Sequence, residues 1–196
     1  MIALVDYGAG NLRSVENAFA AIGTPTARVA DPRALAAAKR IVLPGVGHFG
    51  ALMCALGASG LDAALRERLE AGVPFLGICL GMQALYEASD EAPGLPGLGL
   101  LPGRVERLPA GVRVPHMGWS EVRVQPGSRI FDGAPQGSRF YFAHSFYCPP
   151  EGAAATAFHG TEIGAAVEAG HLWGVQFHPE KSGPEGLRLL ERFVAS

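Results

Sequence analysis

Short apolar runs alternate with stretches of helical period through the first half of the chain, and each change of period marks an element. Ile2–Asp6 is β-prone and gives way to the turn-forming Tyr7-Gly8-Ala9-Gly10-Asn11. From Leu12 to Ile22 apolar residues recur at Leu12, Val15, Phe19 and Ile22, which predicts an amphipathic helix stopped by Gly23. Strands are expected at Pro25–Val29 and Arg40–Leu43, the latter ended sharply by Pro44-Gly45-Val46-Gly47. A helical region follows over Gly50–Glu70, interrupted near Gly57–Gly60. Pro74–Ile78 is apolar throughout, as a strand buried on both faces must be, and Leu80–Ala88 returns to helical period.

Beyond Glu91 the pattern shortens. Pro93–Pro102 is rich in glycine and proline and reads as a loop. Strands are then expected at Gly103–Arg107, Ser120–Val124, Phe140–Phe142, Ala154–Phe158, Gly164–Glu168 and Leu172–Phe177, before an amphipathic helix over Gly186–Val194. Strand–helix alternation implies a three-layer α/β/α fold of flavodoxin-like type, with a mostly parallel central sheet. The shorter strands imply a minor mixed or antiparallel sheet. With 196 residues and no linker or repeat, residues 1–196 are expected to form one domain.

Composition narrows the function. The chain is 48% hydrophobic and 17% charged, enough to bury a core, and its net charge of -2 comes without a basic cluster. Neither nucleic acid nor a membrane surface is therefore an expected partner. No apolar stretch approaches the ~20 residues of a bilayer span, and Asp6 ends the first apolar run with no basic residue before it. A cytoplasmic protein is expected. The cysteines, Cys54, Cys79 and Cys148, are odd in number and lack a C-x-x-C pair, which argues against disulfides and structural zinc. No metal site or cofactor is expected. Cys54, among Leu52, Met53 and Leu56, reads as core, and Cys148 is given no role.

Cys79 differs from the other two. In Gly77-Ile78-Cys79-Leu80-Gly81 it is flanked by glycines at the junction of an apolar strand and a helix. A lone cysteine after a strand is commonly a small core residue. Glycines on both sides instead suit a sharp turn that lifts a nucleophile off the sheet, and the following helix offers unpaired N–H groups that favour thiolate. Near the C-terminus, Phe177-His178-Pro179-Glu180 places a carboxylate two residues from an imidazole. In extended backbone the two share a side, so Glu180 can orient His178 toward a thiol. Acyl transfer through sulfur also needs two oxyanion donors. The N–H of Leu80 supplies one, and the loop Leu43-Pro44-Gly45-Val46-Gly47 can turn a second, that of Val46, inward. Alone, that loop could equally be a tight strand-to-helix turn. Of the other histidines, His159 and His171 read as ordinary loop or strand-end residues, while His48, His116 and His144 sit in distinctive segments.

These segments, with Asp6–Leu12, Leu43–Phe49, Val114-Pro115-His116-Met117-Gly118-Trp119 and His144-Ser145-Phe146-Tyr147, resemble the class I, triad-type glutamine amidotransferases. Among them the similarity is to the glutaminase subunits of imidazole glycerol phosphate synthase. The resemblance implies that glutamine is hydrolysed through a Cys79 thioester, with His178 and Glu180 completing the triad. It implies that Gly47, Gln83, Glu91, Ser145 and Phe146 hold the substrate. It also implies a heterodimer with a separate (β/α)8-barrel cyclase subunit, and interface or gating positions at Asn11, Trp119, Tyr141 and Lys181. Trp119 could instead be core, and Lys181 a solvated charge. Ser120 stands where that family usually carries Asn. Rival readings are a glutaminase for pyridoxal phosphate, tryptophan or purine synthesis, a free-standing γ-glutamyl hydrolase, and a flavodoxin-like binding protein without turnover.

Overall fold

The computed structural model describes residues 1–196. The first half builds β1 (Ile2–Val5), α1 (Leu12–Ala21), β2 (Thr26–Val29), α2 (Pro32–Leu35), β3 (Arg40–Gly45), α3 (Phe49–Ser59), α4 (Leu61–Glu70), β4 (Phe75–Cys79) and α5 (Leu80–Gln83). Then come β5 (Tyr86–Ser89), β6 (Leu101–Arg107), β7 (His116–Glu121), β8 (Arg123–Val124), β9 (Arg139–His144) and β10 (Phe146–Tyr147). β11 (Ala155–Phe158), β12 (Glu162–Ala169), β13 (Leu172–Val175), a 3-10 turn (Pro179–Lys181) and α6 (Gly183–Ala195) finish the chain.

The central sheet has eight strands in the order β2-β1-β3-β4-β13-β12-β11-β8. Its pairs from β2 to β13 are parallel and those from β13 to β8 antiparallel. Side chains of β1 alternate between two cores, Ile2 and Leu4 on one face and Ala3 and Val5 on the other. The first core takes Leu12, Val15 and Phe19 from α1 with Leu189, Leu190 and Phe193 from α6. The second takes Leu52 and Leu56 from α3 with Leu65 and Leu69 from α4. Each such leucine or phenylalanine stabilises the layers by about 1.5–3 kcal/mol relative to exposure. Two small sheets flank this body, a mixed β10-β6-β5 and an antiparallel β7-β9.

Several elements depart from the sequence expectation. The helix expected over Leu80–Ala88 ends at Gln83, and Tyr86–Ser89 instead pairs in parallel with β6. The helical period there was a coincidence of two elements that bury Met82 and Leu85 in the same core. Asp31 caps an unanticipated short helix, its carboxylate accepting from the Arg33 N–H at 2.7 Å with Pro32 at the first position. His116–Glu121 is a strand, although only Ser120–Val124 was expected. Leu101 already belongs to β6, and β13 stops at Val175, short of Phe177. Cys54 is exposed rather than core: the buried face of α3 is Phe49, Leu52, Met53 and Leu56, and Cys54 falls off that stripe.

Candidate functional site

Cys79 ends β4 and Leu80 begins α5, so the cysteine occupies a one-residue turn at the C-terminal edge of the parallel strands. It is the one non-glycine residue with positive φ, at 54°. Such a conformation costs about 1–3 kcal/mol and persists only where the surroundings enforce it. The flanking glycines permit close approach. A Cβ on Gly77 would fall 2.5 Å from the Gly81 carbonyl oxygen, and one on Gly81 would fall 1.8 Å from that of Leu43. Gly45 does the same for the next loop, since its Cβ would stand 2.6 Å from that of Leu80.

His178 is held by its backbone from two sides. Its N–H donates to the Tyr141 carbonyl at 2.8 Å, and its own carbonyl accepts from the Ser182 hydroxyl at 2.6 Å. The Tyr141 N–H donates back to that hydroxyl at 3.0 Å. Nδ1 lies 2.8 Å from Glu180 Oε1, and both side chains are buried. The route to this pair differs from the extended segment expected: Pro179–Lys181 is a 3-10 turn, which folds Glu180 back under the ring. Burial by itself would lower the pKa of His178. Hydrogen bonds to Cys79 and Glu180, and the charges on both, outweigh it and push the value up to about 10. At neutral pH the ring therefore carries a proton it can give to a leaving group.

The sulfur opens into a cavity of about 300 Å³. Val46, Gly47, Leu80, Gln83, Glu91, Ser145, Phe146, His178 and Lys181 all line it, so every residue expected to bind substrate reaches one space. A larger hollow of about 380 Å³ beside Phe158 has neither cysteine nor histidine in its lining, and chemistry selects the one that holds Cys79.

A family model described as glutamine amidotransferase class-I matches residues 3–196. The chain belongs to the class-I glutamine amidotransferases. It is 49% identical over 195 residues to the imidazole glycerol phosphate synthase subunit HisH of Moorella thermoacetica, covering 98% of this chain and 93% of that one. To the protein of the same name from Methanothermobacter thermautotrophicus it is 48% identical, covering 99% and 98%. The solved structure of PurLQS from Thermotoga maritima superposes with a TM-score of 0.78 over 99% of this chain and 97% of that one. At 21% identity that likeness speaks for the fold alone.

Within this amidotransferase the two expected oxyanion donors are in different states. Leu80 stands at the first position of α5, beside the sulfur. The Val46 N–H instead donates to the Tyr7 hydroxyl at 3.3 Å, and that hydroxyl lies 3.4 Å from the Val46 carbonyl. Burial raises the pKa of Tyr7, so the latch is a neutral phenol. Tyr7 was not singled out in the sequence; its only signal was an aromatic residue in a glycine-rich turn.

The amidotransferase also contains a directed chain of histidines. The Phe146 carbonyl can only accept, so His144 Nδ1, 2.8 Å away, carries a proton. His144 Nε2 must then accept, from His116 Nδ1 at 2.9 Å. His116 Nε2 accepts in turn from the Ser120 hydroxyl at 2.7 Å, so the serine found in place of Asn completes the chain. Burial, aided by neighbouring histidine charges, pushes His116 down to about 4 and His144 to about 3, and both stay neutral. His159, expected to be ordinary, stacks on His116 with ring centroids 4.2 Å apart.

Two of the residues expected to hold substrate have structural attachments as well. Glu91 Oε2 accepts from the Phe49 N–H at 2.7 Å, capping α3. Gln83 Nε2 donates to the Phe146 carbonyl at 2.9 Å. Of the gating candidates, Lys181 Nζ sits 5.7 Å from the centroid of the Tyr141 ring, which meets Trp119 edge to face at 6.2 Å. Trp119 is 52% exposed, which rules out the core alternative. Asn11 precedes α1, and its Oδ1 accepts from the Ser14 hydroxyl at 2.9 Å.

Proposed function

We propose that this chain is the glutaminase subunit of an imidazole glycerol phosphate synthase, with Cys79, His178 and Glu180 as its triad. The observation that carries the reading is the buried His178–Glu180 pair facing a strained cysteine inside the cavity that gathers the substrate residues. Glutamine enters with its carboxamide against Cys79. The sulfur attacks the amide carbon, and the oxygen charge that develops meets the Leu80 N–H. His178 gives its proton to the nitrogen, ammonia leaves, and a γ-glutamyl thioester remains on Cys79. Water then attacks the thioester while His178 takes one of its protons. Glutamate departs and the sulfur is regenerated, with Glu180 holding the ring through Nδ1 throughout.

Sequence similarity to the HisH relatives supports a cyclase subunit as the consumer of ammonia and a cytoplasmic location for the pair. No helix is long and apolar enough to cross a membrane. Exposed Met117 and Trp119, on β7 beside the cavity mouth, form the face offered to that partner. Because Tyr7 engages the Val46 N–H, the isolated chain has one oxyanion donor in reserve, and its basal turnover is low.

The test is mass spectrometry of the acid-quenched complex after mixing with glutamine. A γ-glutamyl adduct on the peptide containing Cys79, absent from Cys79→Ala, is the expected result. Glutamate production with no adduct, and undiminished in Cys79→Ala, would refute the mechanism.

A further inference from the structure

We propose that Gln176 is a further catalytic residue, donating a side-chain N–H to the Cys79 sulfur and thereby favouring its reactive thiolate. This rests on the reading of Cys79 as nucleophile and adds a group to its machinery. Gln176 is fully buried just beyond β13, with Nε2 3.6 Å from Cys79 Sγ. Its other end settles the orientation. Oε1 receives a hydrogen bond from Gln83 Nε2 at 3.2 Å and another from the Cys148 thiol at 3.7 Å. Gln83 is itself fixed, since the same Nε2 donates to the Phe146 carbonyl. Flipping the Gln176 amide would set donor against donor and aim a carbonyl at the sulfur.

The sulfur thus has distinct partners for its two forms. As a thiol it can donate to the Ala143 carbonyl, 3.9 Å away. As a thiolate it can only accept, and Gln176 is a donor held in a water-poor site. A hydrogen bond to an ionised group is roughly twice as strong as a neutral one. Both donors to Oε1 polarise the amide further toward this task. Burial raises the thiol of Cys148 well above its usual range, so it stays protonated and acts as a donor, not as a second nucleophile. The titratable groups that face the sulfur are His178, Tyr7 and Cys148, and Lys181, Glu91 and His144 line the same cavity. Of these only Cys148 contacts Gln176, and losing that acceptor creates no new charge, because burial keeps its thiol protonated.

The experiment is the pH profile of Cys79 alkylation by iodoacetamide in the full-length chain. A Cys54→Ser background removes the exposed cysteine. Gln176→Met removes the donor at similar volume, and Gln176→Glu replaces the donor with a carboxylate oxygen. The midpoint of the profile should move to higher pH by about one unit in Gln176→Met, a loss of about tenfold in rate at pH values below the parent's midpoint, and further in Gln176→Glu. Glutamate release by the complex should fall mainly in kcat, with KM nearly unchanged. A profile that superimposes on the parent's in a folded variant overturns the proposal. If Gln176→Met does not fold, the Gln176→Glu profile decides in the same way. The outcome is separable from the triad assignment, because alkylation reads the sulfur directly, and the Cys79→Ala adduct experiment reads its role in turnover.

Discussion

Lowering the pH from 7.5 to 5 should destabilise this protein through two buried histidines outside the expected triad. His144 and His116 are buried in the chain that runs from Ser120 to the Phe146 carbonyl, and both stay neutral when folded. Their folded pKa values lie below the unfolded value near 6.5, so the stability they represent is present above 6.5. It is lost as pH falls toward their folded values of about 4 and about 3. At pH 5 the unfolded chain is protonated at both and the folded chain at neither. One and a half pH units below 6.5 amount to about 2 kcal/mol for a fully sequestered imidazole such as His144. His116 is buried but lies in a thinner environment, and counting it at about half gives about 3 kcal/mol together. Guanidinium denaturation of the parent and of His116→Gln/His144→Gln at pH 7.5 and 5 measures this. The parent should lose about 3 kcal/mol more than the double variant, with His178 common to both and cancelling. Equal losses in the two proteins would show that the chain of histidines is not the source.

Other perturbations probe other parts of the account. Gly81→Ala places a Cβ within bonding range of the Leu43 oxygen, so β3 and the elbow must separate. Thermal unfolding should show a loss of about 3 kcal/mol or more, against a parent-like melt if the glycine serves only flexibility. Glu180→Gln removes the charge that helps raise His178, whose NMR titration should drop from about 10 toward the ordinary histidine range, with glutamate release down about a hundredfold or more. An unchanged titration would assign the elevation elsewhere. In the parent, His178 has a raised folded value, so its contribution is complete below pH 6.5 and lost as pH rises through about 10. Stability should decline there in the parent and less steeply in Glu180→Gln. Trp119→Ala should leave stability within about 0.5 kcal/mol, since the ring is exposed, yet weaken binding to a cyclase subunit about tenfold or more. Unaltered affinity would remove β7 from the interface.

The sequence was most legible where local chemistry and tertiary demand coincide. The apolar run Phe75–Ile78, the glycines around Cys79 and the stripe Leu12, Val15, Phe19 each announce an element that the fold then uses as expected. It misled where tertiary contacts override a local period. After Gln83 the chain leaves the helix because Tyr86 and Ser89 are buried beside β6, and nothing in the helical spacing of Met82 and Leu85 signals that. His116–Glu121 escaped notice as a strand because its identity is set by pairing with β9, residue for residue from His144 to Arg139. The Glu180–His178 contact was anticipated by spacing but through the wrong backbone. Tyr7 and Gln176 were invisible for a different reason: each acts on a residue tens of positions away, 39 for Tyr7 and 97 for Gln176. A polar residue in an otherwise buried C-terminal strand was the only local hint of the second.

The most direct test of the central claim is glutamate release from glutamine by the free chain and by its complex with a cyclase subunit and that subunit's nucleotide ligand. Low release by the free chain, a large increase in the complex, and none from Cys79→Ala in either state are the expected results. Rapid release by the free chain, indifferent to the cyclase, would contradict it, leaving a glutaminase of another pathway or a free-standing hydrolase.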